Sequence, residues 1–131
     1  MSREAACSCG QLRLICEGEP VRVSLCHCHA CQRRTGSTFG VQMRFPCEKV
    51  RIEGRSSTWA RVGDSGGTVT FHFCPTCGGT VYWELKQLPD FIAPAYGAFA
   101  GDTVAAPAIS VYEDRAHEWV RPALTDMEHH N

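Results

Sequence analysis

Short apolar runs rich in Val, Ile, Thr and Phe recur along the chain between turn signals. Segments containing Gly or Pro interrupt them at 63–67, 75–79 and 88–94. This pattern predicts an all-β protein with a single helical turn or two over residues 29–34. The predicted strands cover residues 12–16, 21–25, 39–45, 50–53, 68–73, 80–84 and 109–112.

The length of the chain favours one structural unit. A chain of 131 residues lies in the range where one hydrophobic core is expected. None of the interruptions is long enough for an interdomain linker, so we expect a single domain over residues 1–131. The polar stretch 126–131 is expected to fray, with its His129-His130 pair solvated rather than acting as ligands.

Charge and hydropathy narrow the possible partners. The net charge is -1 and the isoelectric point about 6.6, so no overall positive field attracts a nucleic-acid backbone. No stretch approaches the roughly 18 apolar residues of a membrane span, and the N-terminus lacks the pattern of a signal peptide. We therefore expect a cytoplasmic protein, in which clustered cysteines are metal ligands or catalytic groups rather than disulfides.

Seven of the nine cysteines fall in three clusters. The segment Cys74-Pro-Thr-Cys77-Gly-Gly is typical of a zinc knuckle, whose tight turn brings two sulfurs to one side. Cys7 and Cys9 are separated by one residue, so an extended chain directs both sulfurs to the same face. Together the two pairs predict a structural zinc site that joins segments 65 positions apart.

The remaining cluster, Cys26, Cys28 and Cys31, offers three thiols. Structural zinc normally has four protein ligands, whereas a reactive site keeps three and leaves one position for water or substrate. The spacing leaves two alternatives, an open site and a site closed as Cys3His. The histidines that could close it are His27, His29 and His72.

Four other residues have two interpretations each. Cys16 and Cys47 lie outside the clusters and are expected to be small buried hydrophobic residues rather than metal ligands. Arg33 and Arg34 directly follow the third cluster, where a guanidinium can bind a substrate carboxylate through two hydrogen bonds. A solvated basic turn is the alternative for these two arginines.

Three motifs in order resemble the glutathione-dependent formaldehyde-activating enzyme family. They are Cys7-Ser-Cys9-Gly10, then Cys26-His27-Cys28-His29-Ala30-Cys31-Gln32-Arg33-Arg34-Thr35-Gly36, then Phe73-Cys74-Pro75-Thr76-Cys77-Gly78. The resemblance continues through residues 107–112 and 115–119, so it covers nearly the whole chain. Many relatives carry a histidine near the position of Ser110, and no role of that histidine carries over to this sequence.

The resemblance implies a β-tent, Mss4-like fold of short antiparallel strands around a structural zinc, with two zinc ions per chain. Cys7, Cys9, Cys74 and Cys77 would hold the structural ion. Cys26, Cys28 and Cys31 would hold the catalytic one.

The implied activity is that of a zinc-dependent carbon-sulfur lyase. It would add formaldehyde to glutathione thiolate, or cleave a related thiol adduct, with Arg33 or Arg34 on a glutathione carboxylate. Trp59 or Trp83 would then form a wall of the cleft, or else belong to the core. The alternative is a non-catalytic zinc module that binds a thiol, a protein or a nucleic acid.

Overall fold

The computed structural model describes residues 1–124 and 126–131 and contains mainly β-strands. One α-helix, α1, covers His29–Thr35, and short 3-10 helices cover Cys47–Lys49, Tyr96–Phe99 and Glu113–Arg115. The strands are β1 (Ser2–Ala6), β2 (Arg13–Glu17), β3 (Arg22–Cys26), β4 (Gly40–Pro46), β5 (Val50–Glu53), β6 (Ser57–Val62), β7 (Thr68–Phe73), β8 (Thr80–Leu85), β9 (Phe91–Pro94), β10 (Ile109–Val111) and β11 (Glu128–His129). The all-β prediction is confirmed.

The strands form two sheets. The smaller sheet has the order β1-β2-β5, and the larger has the order β11-β10-β3-β4-β9-β8-β7-β6. All pairings are antiparallel except those of β10 with β3 and with β11, which are parallel. The expectation of antiparallel strands therefore holds for all of the sheet pairings except those made by β10.

The main core lies between the two sheets. Leu14 and Cys16 of the smaller sheet pack in one cluster with Met43 and Phe45 of the larger sheet. Cys16 is fully buried, as predicted, and burial raises the pKa of its thiol to about 12. Cys47 differs from the prediction, because it is only partly buried and its thiol donates to the carbonyl oxygen of Pro89 at 3.5 Å.

A second apolar cluster on the larger sheet contains Phe71 of β7 and Trp83 of β8, which are cross-strand neighbours. Trp83 is 3% exposed, whereas Trp59 on the neighbouring strand β6 is 59% exposed. This side of the sheet faces α1, as the position of Arg34 over the Trp83 ring shows. The sheet therefore provides a partly exposed aromatic face next to the helix.

The predicted strands are present, and α1 matches the predicted helix to within one residue at its end. The expectation of a frayed C-terminus is wrong. Residues 128–129 form β11, which pairs with β10, and the imidazole of His129 contacts the carboxylate of Glu113 at 2.9 Å. In the part of the chain that the structure describes, we find no helix with the length and apolar character of a membrane span.

Candidate metal centre

The thiols of Cys7, Cys9, Cys74 and Cys77 form one compact cluster, in which all four sulfurs lie within 4.8 Å of one another. The Sγ atoms of Cys7 and Cys9 are 3.7 Å apart, as are those of Cys9 and Cys74. A tetrahedral site with Zn-S bonds of about 2.3 Å has sulfur-sulfur edges of about 3.8 Å. The donor set therefore fits a tetrahedral zinc ion.

Two turns position these sulfurs. In the first, the amide of Cys7 donates to the carbonyl oxygen of Leu12 at 3.0 Å. In the second, the amide of Cys74 donates to Gly79 at 2.9 Å. The turns approach closely, since a β-carbon on Gly79 would lie 3.4 Å from that of Cys7. Each turn is thus closed by a backbone hydrogen bond of its own.

Hydrogen bonds support the charged form of Cys74. Burial opposes ionisation of this thiol, but the amides of Cys77 and Thr76 and the side chain of Gln11 donate to its sulfur. The distance from Gln11 Nε2 to Cys74 Sγ is 3.0 Å. Together with a hydrogen bond from the thiol of Cys9, these donors lower the pKa of Cys74 to about 5. The site thereby favours a thiolate, the form that binds metal.

Cys26, Cys28 and Cys31 form the second cluster, and their sulfurs also lie within 4.8 Å of one another. Cys26 ends β3, Cys28 caps the N-terminus of α1, and Cys31 lies in its first turn. The sulfur of Cys28 accepts the amide of Cys31 at 3.3 Å. Helix initiation therefore places the second and third thiols beside the first.

The charge of this cluster is concentrated on one sulfur. Hydrogen bonds from the thiols of Cys26 and Cys31 lower the pKa of Cys28 to about 2. Hydrogen bonds with Cys28 and with Cys31, together with burial, raise the pKa of Cys26. A cluster that holds a thiolate at Cys28 fits a cation better than three neutral thiols would.

No histidine joins the three cysteines among residues 1–124 and 126–131. His27 is buried, and its Nε2 lies 3.2 Å from the hydroxyl of Ser110, the position at which many relatives were expected to carry histidine. His29 is exposed. The Nε2 atom of His72 lies 2.6 Å from Glu84. Among the described residues this cluster therefore offers three candidate donors, as the open-site alternative requires.

The two predicted arginines differ in their surroundings. The guanidinium of Arg34 lies 4.3 Å from the centre of the Trp83 ring and hydrogen-bonds the sulfur of Cys31. Burial lowers the pKa of Arg34, and the neighbouring cysteines act in the opposite direction. Arg33 is exposed. Arg34 thus places a positive charge next to the three-cysteine cluster, and Arg33 lies further out.

A cavity of about 140 Å³ opens at this cluster. Besides the cysteines and Trp83, it is lined by residues that the sequence analysis did not select: Gln42, Arg61, Asp64, Ser65, Phe71 and Tyr112. Arg61 and Asp64 belong to the hairpin of β6 and β7, and residue spacing gave no signal that this hairpin would cover the cysteines. The sequence did place Arg61 two residues after Trp59, and therefore on the same face of a strand.

The tip of that hairpin is attached to the other side of the cavity. Asp64 forms an ion pair with Arg115, whose guanidinium lies 4.9 Å from the centre of the Tyr112 ring. Tyr112 has a φ of 54°, a left-handed conformation that is unfavourable for a side chain of this size. This strained backbone directs the chain from β10 towards the ion pair and leaves Tyr112 at the cavity wall.

Comparison with known proteins identifies the family. The family model described as glutathione-dependent formaldehyde-activating enzyme matches residues 2–115. A search of the curated proteins finds no significant match. A crystal structure of a Rhodobacter sphaeroides protein is similar in fold, with a TM-score of 0.57 at 19% identity over 76% of this chain and 90% of that one. The chain belongs to the glutathione-dependent formaldehyde-activating enzyme family.

Proposed function

We propose that this member of the family is a zinc-dependent carbon-sulfur lyase that joins formaldehyde and glutathione, or cleaves a related adduct. The observation that carries the proposal is the difference between the two clusters. One offers four sulfurs, whereas the other offers three and opens into a cavity. A complete site suits a structural ion, and an incomplete one suits a site that takes substrate.

In this proposal the residues divide into two sets of zinc ligands. Cys7, Cys9, Cys74 and Cys77 hold the structural ion. The catalytic ion is held by Cys26, Cys28 and Cys31. Bound there, zinc would lower the pKa of an incoming thiol and favour its thiolate.

The reaction needs one new bond and one proton transfer. The glutathione sulfur forms a bond to the formaldehyde carbon, the carbon-oxygen π bond breaks, and the thiol proton passes to the oxygen, giving S-(hydroxymethyl)glutathione. Cleavage is the reverse. The chain contributes orientation, because a sulfur and an aldehyde held together in a small cavity react as if at high local concentration.

The charges around the cavity suit an anionic substrate. Glutathione carries two carboxylates, and Arg33 and Arg34 are proposed to bind one of them, as their position after the cluster suggested. Arg34 can also donate to a carboxylate from the cavity wall without leaving Trp83, because a guanidinium has five N-H donors. We propose that the protein acts in the cytoplasm as one domain.

Cobalt substitution tests this proposal. A protein loaded with cobalt in both clusters should change its sulfur-to-metal absorption when glutathione is added, because a fourth sulfur joins only the incomplete site. Zinc-loaded protein should also accelerate the exchange between formaldehyde, glutathione and their adduct over the uncatalysed rate. Cys28→Ser should abolish both effects, whereas Cys47→Ser, outside the clusters, should retain them.

Two results would contradict the proposal in different ways. A spectral change without acceleration leaves a thiol-binding zinc protein. The absence of any spectral response to glutathione or another small thiol indicates a closed site, and a non-catalytic zinc module then becomes the better description.

A further inference from the structure

A second concave region, which we call the aromatic groove, lies beside the cysteine cavity and has a volume of about 510 Å³. Three aromatic side chains form its apolar wall. Trp59 and Phe71 are direct partners across β6 and β7, with ring centres 6.1 Å apart and planes inclined by 23°. Phe73 follows on the same face of β7. The groove therefore presents an aromatic wall in which Trp59, 59% exposed, is the most accessible ring.

Three arginines, Arg33, Arg34 and Arg61, line the same groove. None of them forms an ion pair with a carboxylate within the described ranges, whereas Arg3 and Arg13 do. Arg61 lies 5.7 Å from the centre of the Phe71 ring. Arg34 also hydrogen-bonds the sulfur of Cys31. The groove thus combines arginines that have no carboxylate partner among the described residues with an aromatic wall, a combination that fits an anion with an apolar part.

The aromatic groove adjoins the cysteine cavity. Arg34, Arg61 and Phe71 line both of them. A ligand that lies against Trp59 therefore lies next to side chains that also line the cysteine cavity. Formaldehyde and its hydroxymethyl adduct have no apolar group to place against the aromatic wall, and glutathione supplies the carboxylates but no ring.

We propose that the aromatic groove binds an aromatic or bulky apolar group carried on the sulfur of a glutathione adduct. The substrate class is then the glutathione adducts of aromatic and other large aldehydes, in addition to that of formaldehyde. This inference rests on the proposed function. It adds that Trp59 and Phe73 determine specificity for the aldehyde, while the arginines bind the tripeptide carboxylates.

Two unreactive thioethers, S-benzylglutathione and S-methylglutathione, test the groove directly. Their dissociation constants for zinc-loaded protein are measured by calorimetry, so the result does not depend on catalysis. We expect S-benzylglutathione to bind at least about tenfold more tightly, because a phenyl ring leaves water for an apolar wall. Trp59→Ala should reduce this preference to nearly one, and Trp59→Phe should restore most of it.

Two further variants serve as controls. Trp119 is 73% exposed and does not line the groove, so Trp119→Ala should retain the preference. Arg33→Gln should weaken both thioethers by a similar factor, because it removes a contact with the shared tripeptide. Equal affinities of the two thioethers, no measurable binding of either, or a preference unchanged in Trp59→Ala would overturn the inference.

The failure of this inference can be separated from the failure of the proposed function. If formaldehyde exchange is accelerated and the two thioethers bind equally, only the assignment of the groove is wrong. If the benzyl preference depends on Trp59 but no exchange is accelerated, the groove is assigned correctly and the reaction is not.

Discussion

Replacing Gly54 with alanine should destabilise the protein much more than replacing Gly18. Both glycines lie in turns and have positive φ values, 93° and 75°. They differ in their surroundings. A β-carbon on Gly18 would meet nothing within 4 Å, whereas one on Gly54 would lie 1.8 Å from the backbone oxygen of Gln11. The pair therefore isolates the effect of a close backbone contact.

The magnitude follows from two costs. The left-handed conformation costs about 1–2 kcal/mol for a residue with a side chain, and both variants incur it. In Gly54→Ala, the contact must also lengthen from 1.8 Å to at least 3.0 Å, and overpacking of this kind costs about 1–3 kcal/mol. We expect a loss of about 2–5 kcal/mol for Gly54→Ala against about 1–2 kcal/mol for Gly18→Ala.

The displacement should also reach the four-cysteine cluster, because Gln11 donates to the sulfur of Cys74 and the next amide, that of Leu12, donates to Cys7. Urea unfolding of the zinc-loaded proteins measures the stability, and the rate of zinc transfer to a coloured chelator measures retention of the metal. Gly54→Ala should lose zinc faster than Gly18→Ala. Equal stabilities within about 0.5 kcal/mol, together with equal transfer rates, would refute this reasoning.

Three further predictions concern the thiols and their neighbours. Cys74→Ser should lose one zinc and most of the folded state, since structural zinc contributes on the order of 10 kcal/mol to folding. Cys28→Ser should also lose one zinc but remain folded. Metal analysis measures the zinc content of each variant, and circular dichroism measures its folded fraction. Burial raises the pKa of Cys16 from 9.0 to about 12, so this thiol stays protonated in the folded state at pH values where it ionises in the unfolded state. The resulting stabilisation is complete below pH 9 and is lost between pH 9 and 12, by at most about 1.4 kcal/mol per pH unit. Cys16→Ala should remove this slope from a plot of unfolding free energy against pH. Gly40→Ala places a β-carbon 2.7 Å from the Arg34 guanidinium, so it should weaken glutathione binding in calorimetry while unfolding free energy falls by less than about 1 kcal/mol.

Three of the strands that sequence reasoning missed have recognisable causes. β1 has the sequence SREAA, with one buried side chain, so it shows no apolar alternation. β6 lies at the edge of the larger sheet and is mostly exposed. β9 ends at Pro94 within a stretch interpreted as an interruption. In each case pairing with a neighbouring strand decides the structure, and local propensity does not.

The cysteine clusters were predictable because their spacing is local. Three thiols within six residues, or two beside a glycine turn, can be recognised without knowing the fold. The groove was not predictable in this way. Trp59 and Arg61 come near Arg34 only because β6 pairs with β7 and α1 packs across that face, and those contacts join residues far apart in the sequence.

The four-cysteine cluster has a consequence for synthesis of the chain on the ribosome. Five of the seven clustered thiols, up to Cys31, emerge before the pair that completes the first site, and Cys77 follows 46 residues after Cys31. At about 5–20 residues per second, this interval lasts several seconds. During that time an ion captured by Cys7 and Cys9 can be bound by cysteines that are not its final ligands, namely those of the other cluster or Cys16 and Cys47. Correct loading of an ion captured in that interval therefore depends on exchange of the metal after Cys74 and Cys77 arrive, and a rapidly exchanging ion should give a higher yield of native protein than a slowly exchanging one.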